Sequence, residues 1–230
     1  LDVPAPTHLE GLYGTLTSDD EGSYDDLLHN AHPAVQALAD GETLADVFNY
    51  THSDGLATSN SSTLTTSLNG NNDVPVANAD TAEITEDATA VVSGNVLDND
   101  TDVDSTDTLT VASADAGSTP VDVTAPTDIE GLYGTLTIDD DGSYDYLLHN
   151  DNTAVQALAD GETLADVFNY TNSDGLATSN SSTLTITING NNDVPVANAD
   201  TAEITEDATA VVSGNVLDND TDVDSTDTLT

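Results

Sequence analysis

The chain has 230 residues with 44 Asp and Glu, no Lys or Arg and five His, a formal charge of −44 at pH 7, and neither Cys nor Met. Without cations to meet phosphates or anionic headgroups, nucleic acid and anionic membranes are disfavoured as partners; without cysteine, disulfides, thiol chemistry and cysteine metal sites are excluded. Carboxylates a few ångströms apart repel by about 1 kcal/mol per pair even in water, so the balancing charge must come from counter-ions.

With 37% hydrophobic and 19% charged residues the chain can bury a core. No apolar run approaches the roughly 20 residues of a membrane helix, and no signal peptide or lipid anchor is visible. The first residue is Leu rather than Met, so the chain is expected to be an excerpt of a longer or processed protein.

A repeat governs how the elements are read. EGLYGTLT begins at Glu10 and again at Glu130, and residues 1–110 differ from residues 121–230 at 14 positions, all before Asn69. The stretch Asn69 to Thr110 returns unchanged at Asn189 to Thr230. If NGNND closes one domain and VPVANAD opens the next, residues 74–193 form one complete domain. Residues 1–73 are then the back part of a preceding one and residues 194–230 the front part of a following one.

Within the complete unit, alternating apolar residues predict strands in chain order at Ala82–Thr85, Ala88–Gly94, Thr108–Ser113, Pro120–Val123, Tyr133–Ile138, Ser143–Leu148, Leu164–Thr171 and Ser182–Ile188. Asp139-Asp140-Asp141-Gly142 and Ser173-Asp174-Gly175 read as turns in which glycine supplies a positive φ. Between the strands, Thr153 to Ala159 has helical spacing and stops at Asp160-Gly161, a short helix or helical turn. The sum is an all-β, antiparallel Greek-key sandwich with one helical turn per repeat.

Three apolar residues of the second copy, Ile138, Tyr146 and Ile186, are Ser18, Asp26 and Thr66 in the first. Facing the core, these exchanges would make the first copy less stable by several kcal/mol; facing outward, they would give the second copy an apolar patch.

The acids suggest calcium, which takes six to eight hard oxygen ligands. Asp98, Asp100, Asp102 and Asp104 alternate, so an extended segment puts them on one face and a looped one wraps them round an ion. Glu86 and Asp87 on the first strand can reach the same junction. One period later the set recurs as Glu206, Asp207, Asp218, Asp220, Asp222 and Asp224. Against this stands the role of Asp and Asn as ordinary turn residues, which already explains Asp139 to Asp141; the twelve-residue EF-hand pattern is not met. His29 and His149 recur beside Asn30 and Asn150, but as strand-end residues rather than transition-metal ligands. The aromatic residues Tyr133, Tyr144, Phe168 and Tyr170 fall at core positions. No G-x-S-x-G or other nucleophile motif is present, which argues against catalysis.

GLYGTLTIDDDGSYDYLL, AVQALADGETLADVFNYTNSDG and TLTITINGNND together resemble the VCBS repeat, a cadherin-like β-sandwich found in tandem arrays in large bacterial surface proteins, including RTX-type adhesins. The hinge Asn69-Gly70-Asn71-Asn72-Asp73-Val74-Pro75 resembles the cadherin linker D-x-N-D-N-x-P with asparagine in place of the first acid and the later Asp and Asn exchanged. The resemblance implies calcium ligation by Asn71, Asn72 and Asp73, and by Asn191, Asn192 and Asp193 one period on. It further implies an extracellular, non-catalytic stalk in adhesion or biofilm whose partners are the neighbouring repeats. The alternative is a filament subunit whose incomplete domains are completed by strands of identical chains.

Overall fold

The computed structural model describes residues 7–88, 91–207 and 211–230. They fall into two compact units: residues 7–76 with 101–109 and 173–179, and residues 77–88 with 91–100, 110–172, 180–207 and 211–230.

The first unit contains β1 (Thr7–Glu10), β2 (Gly14–Ser18) and β3 (Tyr24–Leu28), a short α1 (Pro33–Gln36), and β4 (Thr43–Tyr50) with β5 (Ser62–Asn69). β1, β2 and β3 form one antiparallel sheet, and β4 and β5 a two-stranded ribbon. Pro33 fits the first helical position, where its missing N–H costs nothing, and the His32 ring accepts from the Ala34 N–H.

The second unit contains β6 (Asp80–Thr85), β7 (Val91–Asn95), β8 (Thr110–Asp115), β9 (Val121–Asp122), β10 (Thr127–Glu130), β11 (Gly134–Ile138) and β12 (Ser143–Leu148). It also holds most of β13 (Thr163–Ser173) and all of β14 (Ser182–Asn189). One sheet runs β10-β11-β12-β7 and the other β6-β14-β13-β8-β9. Burial alternates strictly along β12 and β14, as a strand with one face on a core must. Ile129, Leu136, Ile138, Tyr146 and Leu148 line the interior from the first sheet, and Ile84, Val111, Phe168, Leu184, Ile186 and Ile188 from the second. The Tyr146 and Phe168 rings meet edge-on with centroids 5.9 Å apart.

Three features depart from the sequence reading. β10 was not expected: Thr-Asp-Ile-Glu has one apolar residue, and its strand character comes from pairing with β11. The sandwich is not wholly antiparallel, since β6 runs parallel to β14 from Asp80↔Leu184 to Thr85↔Asn189. The strand expected from Ala88 is seen from Val91, residues 89 and 90 lying outside those described. Residues 153–157 form a helical turn, within what the spacing of Thr153 to Ala159 allowed: Thr153 stands where proline starts α1, and the turn stops before Gly161 at φ +87°.

The three exchanged positions face the core. Ile138, Tyr146 and Ile186 are each at most 1% exposed. The Tyr146 hydroxyl donates to Asp166 Oδ2 at 3.0 Å, and the same carboxylate accepts the N–H groups of Leu132 and Tyr133 at 3.0 and 2.9 Å. In the first copy, Asp46 plays the turn-holding part for the N–H groups of Leu12, Tyr13 and Gly14. Burial works against its ionisation, yet these backbone donors hold its carboxyl below the usual range. Where Tyr146 stands in one copy, Asp26 in the other has a buried Oδ1 with no hydrogen-bond partner among the described residues.

Candidate metal centre

Two acidic groupings form at the Asn/Asp-rich hinges, one inside each unit. Both rest on the same local device. The chain after the hinge makes an isolated bridge, Val76 to Thr101 in one unit and Val196 to Thr221 in the other, with N–H···O distances of 2.8 and 3.1 Å and of 2.8 and 3.0 Å. That bridge turns the acidic run back on the hinge.

In the first unit, Asp104 is 2% exposed. Its Oδ2 accepts the Asp73 N–H at 2.7 Å, and its own N–H donates to Asp102 Oδ1 at 3.0 Å. Asp102, Asp107 and Asp174 each bring a carboxylate oxygen within 4.8 Å of one another. Asp174 serves two purposes. Its Oδ1 accepts the N–H groups of Leu176 and Ala177, both at 2.6 Å, while Oδ2 accepts from Asn72 Nδ2 at 2.9 Å. Asn72 Oδ1, Asp102 Oδ2 and Asp104 Oδ1 are buried with no hydrogen-bond partner among the described residues.

The second unit repeats the pattern with a different complement. Asp224, 2% exposed, accepts the Asp193 N–H on Oδ2 at 2.9 Å and donates its N–H to Asp222 Oδ1 at 3.1 Å. Glu86, in the turn that follows β6 and wholly buried, accepts the Asn191 N–H on Oε1 at 3.2 Å. Asp193 Oδ2 and Asp224 Oδ1 are again buried without a partner among the described residues. Gly190 permits the close approach that starts this hinge: a Cβ there would lie 2.4 Å from the Ala159 carbonyl oxygen.

The electrostatics follow from packing acids without cations. Burial pushes the Glu86 carboxyl upward; the Asn191 N–H opposes this, and the charges of Asp87, Asp193 and Asp224 reinforce it. Burial followed by the charges of Asp87, Asp224 and Asp222 raises Asp193, and burial followed by those of Asp104, Asp102 and Asp174 raises Asp107. Acids raised in the fold stabilise it below their unfolded pKa and lose that contribution as pH rises through the folded value. Acids lowered in the fold, such as Asp46, already contribute fully above the unfolded value. The metal-free chain is therefore expected to melt at progressively lower temperature from about pH 4.5 to pH 7. Thermal melts in chelator check this, and a melting temperature that climbs across that range contradicts it.

The acidic run does not act as one group. Asp102 and Asp104 join the grouping of the first unit. Asp100 belongs to the second, where it accepts from the Asn78 N–H at 2.6 Å and from Asn172 Nδ2 at 2.7 Å, close to the Tyr170 hydroxyl. Asp98 is exposed. One period on, Asp220 likewise accepts the Asn198 N–H at 2.7 Å, and Asp218 is exposed. Asp87 donates its N–H to Asn150 Oδ1 and holds φ +57°, a left-handed conformation repeated at Asp207 with +63°. Glu206 and Asp207 are exposed, as are Asn71, Asn191 and Asn192. Asn192 donates to the Asp193 carbonyl at 2.6 Å. Asp107 and Asp174 were not picked out by sequence reasoning, because turn chemistry alone accounts for Asp174. The usable signal was recurrence: Asp107 returns as Asp227, and Asp54 as Asp174.

A cluster of acids around buried, unpartnered oxygens and without cationic side chains has the donor chemistry of a hard divalent cation. The bacterial cadherin-like domain family matches residues 72–190, more than half of the chain. The chain belongs to that family. It is 36% identical over 140 residues to the calcium-binding lectin RapA2 of Rhizobium johnstonii (strain DSM 114642 / LMG 32736 / 3841), across 57% of this chain and 55% of that protein, so it spans about half the length of that relative. Among solved structures, this cadherin-like chain is similar to the protocadherin gammaB7 EC3-6 cis-dimer structure, with TM-score 0.46 and 13% identity over 86% of this chain and 43% of the other. The corresponding values for extracellular cadherin domains 3–6 of protocadherin gamma B2 are 0.45 and 13%, over 85% and 44%. No helix among the described residues is long and apolar enough to cross a membrane.

Proposed function

We propose that the chain is a non-catalytic extender segment of an extracellular bacterial surface protein, a tandem array of VCBS-like repeats in which calcium at the hinges stiffens the array for adhesion or biofilm. In this reading residues 74–193 are one whole repeat, residues 1–73 the back of another and residues 194–230 the front of a third. The carrying observation is the set of buried carboxylate oxygens at both hinges that have no hydrogen-bond partner among the described residues, on Asp102, Asp104, Asp193 and Asp224. The residues that would hold the ion are Asn72, Asp102, Asp104, Asp107 and Asp174 at one hinge, and Glu86, Asp193, Asp222 and Asp224 at the other. Bound calcium supplies the positive charge that these acids lack. The relative named as a calcium-binding lectin supports the choice of ion.

Calcium titrated into chelated chain is expected to raise the melting temperature, since a ligand that binds only the folded state stabilises it by about 2.7 kcal/mol at a hundred times its dissociation constant. A fixed hinge is expected to change the hydrodynamic radius as well. If neither quantity moves at millimolar calcium, the reading is wrong.

One observation favours a second reading, assembly into filaments by strand complementation. β12 pairs with β7, whose sequence Val91-Val-Ser-Gly-Asn95 recurs unchanged at residues 211–215, where Val211 and Val212 are exposed. β3, the first-copy counterpart of β12, leaves Tyr24 and Leu28 exposed where Tyr144 and Leu148 are buried. A strand from an identical chain would fit that edge. Light scattering distinguishes the two: growth of mass with concentration supports filaments, and a discrete monomer removes them.

A further inference from the structure

The helical turn at residues 153–157 sits against the donor set of the second hinge and contributes no ligand to it. Val155 and the following Leu158 are buried in the core, and Gln156 N–H bonds back to the Asn152 carbonyl at 3.0 Å, so the turn is anchored. From it, Gln156 Nε2 donates to Asp87 Oδ1 at 3.1 Å and reaches Glu86 Oε2 at 3.4 Å. The next residue receives the other side of the hinge: the Ala157 carbonyl accepts both the N–H and the hydroxyl of Ser225, at 3.2 and 3.1 Å. Ser225 follows Asp224 directly. The same pairing occurs in the first unit, where the Ala37 carbonyl accepts Ser105 N–H at 3.4 Å and its hydroxyl at 3.3 Å.

Resting on the calcium reading above, we propose that this turn is a positioning element that assembles the donor set before the ion arrives, with Gln156 as a positioning residue for Glu86, held also by its bond to the adjacent Asp87, and Ser225 as one for Asp224. The physical need is plain. Carboxylates at a metal-free hinge repel and would swing apart, and ordering them would then be charged against binding. An amide donor holds them without adding a charge that competes with the cation. A carbonyl at the C-terminal end of a helical turn has no partner within the turn and is free to take the serine.

The test is calorimetric titration of calcium chloride into the chelated 230-residue chain, native and as Gln156→Met, Ser225→Ala and Ser225→Thr, with Gln36→Met as a control. Loss of a supporting hydrogen bond around metal ligands weakens affinity by about tenfold. Gln156→Met and Ser225→Ala are each expected to show that loss at one class of site while melting in chelator as the native chain does. Ser225→Thr, which keeps the hydroxyl, is expected to restore affinity, and Gln36→Met to leave that class unchanged. Native-like affinity in Gln156→Met overturns the positioning role alone, as does a loss that merely tracks a lower melting temperature in chelator. A native chain that takes up no calcium overturns the metal reading and this role together.

Discussion

Asp224→Asn is expected to melt above the native chain in chelator and below it in millimolar calcium. The side chain is 2% exposed, and its charge pushes the buried Glu86 and the neighbouring Asp193 upward. Without an ion, that charge sits among like charges in a desolvated place, and its removal relieves roughly 1 to 2 kcal/mol. Asparagine keeps an oxygen for the Asp193 N–H and offers an amide N–H₂ to the acids nearby. With calcium present the balance reverses, because a charged ligand has been lost and affinity is expected to fall by roughly a hundredfold. Differential scanning calorimetry in the two buffers reads both effects. Asp104→Asn makes the same test in the first unit, where Asp104 holds the Asp73 N–H in the corresponding way. Melting temperatures that shift in the same direction in both buffers would show that these acids serve turn geometry and nothing else.

Tyr146→Asp, which writes the first copy's residue into the second, is expected to cost the sandwich about 4 kcal/mol or more. The ring is wholly buried against Phe168, and its loss alone is worth about as much as a Phe-to-Ala change in a core. The new carboxylate would then stand beside Asp166, which already accepts two backbone N–H groups, with no cation in the chain to meet it. Urea unfolding measures the change. Tyr146→Phe separates the contributions, since it removes only the hydrogen bond to Asp166 and is expected to cost about 1 kcal/mol. If Tyr146→Asp were as mild as Tyr146→Phe, neither the packing of the ring nor the isolation of Asp166 would matter to stability.

Much of the fold was legible because a strand with one buried face imprints a period of two on its own sequence. Ser143-Tyr-Asp-Tyr-Leu-Leu148 is β12 to the residue, and its alternation is the alternation of burial. β10 left no such imprint, for one apolar residue cannot show a period. The parallel pairing of β6 with β14 joins segments about a hundred residues apart, and nothing local distinguishes a strand that pairs parallel from one that pairs antiparallel. The exchanged residues were legible as a difference between copies. Their direction was not, because either face of a strand is compatible with an isolated substitution.

The amino-acid sequence alone determined the repeat, the excess of acids with nothing inside the chain to neutralise them, and the hinge at which they gather. Those are matters of composition and spacing. Tertiary structure decided which acids meet: it separates Asp100 from Asp102 within one alternating run, and it brings Asp174 to Asn72 from 102 residues away. The physical reason is that a carboxylate's partners are set by the path of the chain through space. A bridge from Val76 to Thr101 and a turn at Ser173 place these oxygens together, and neither leaves a mark in the identity of the acids themselves.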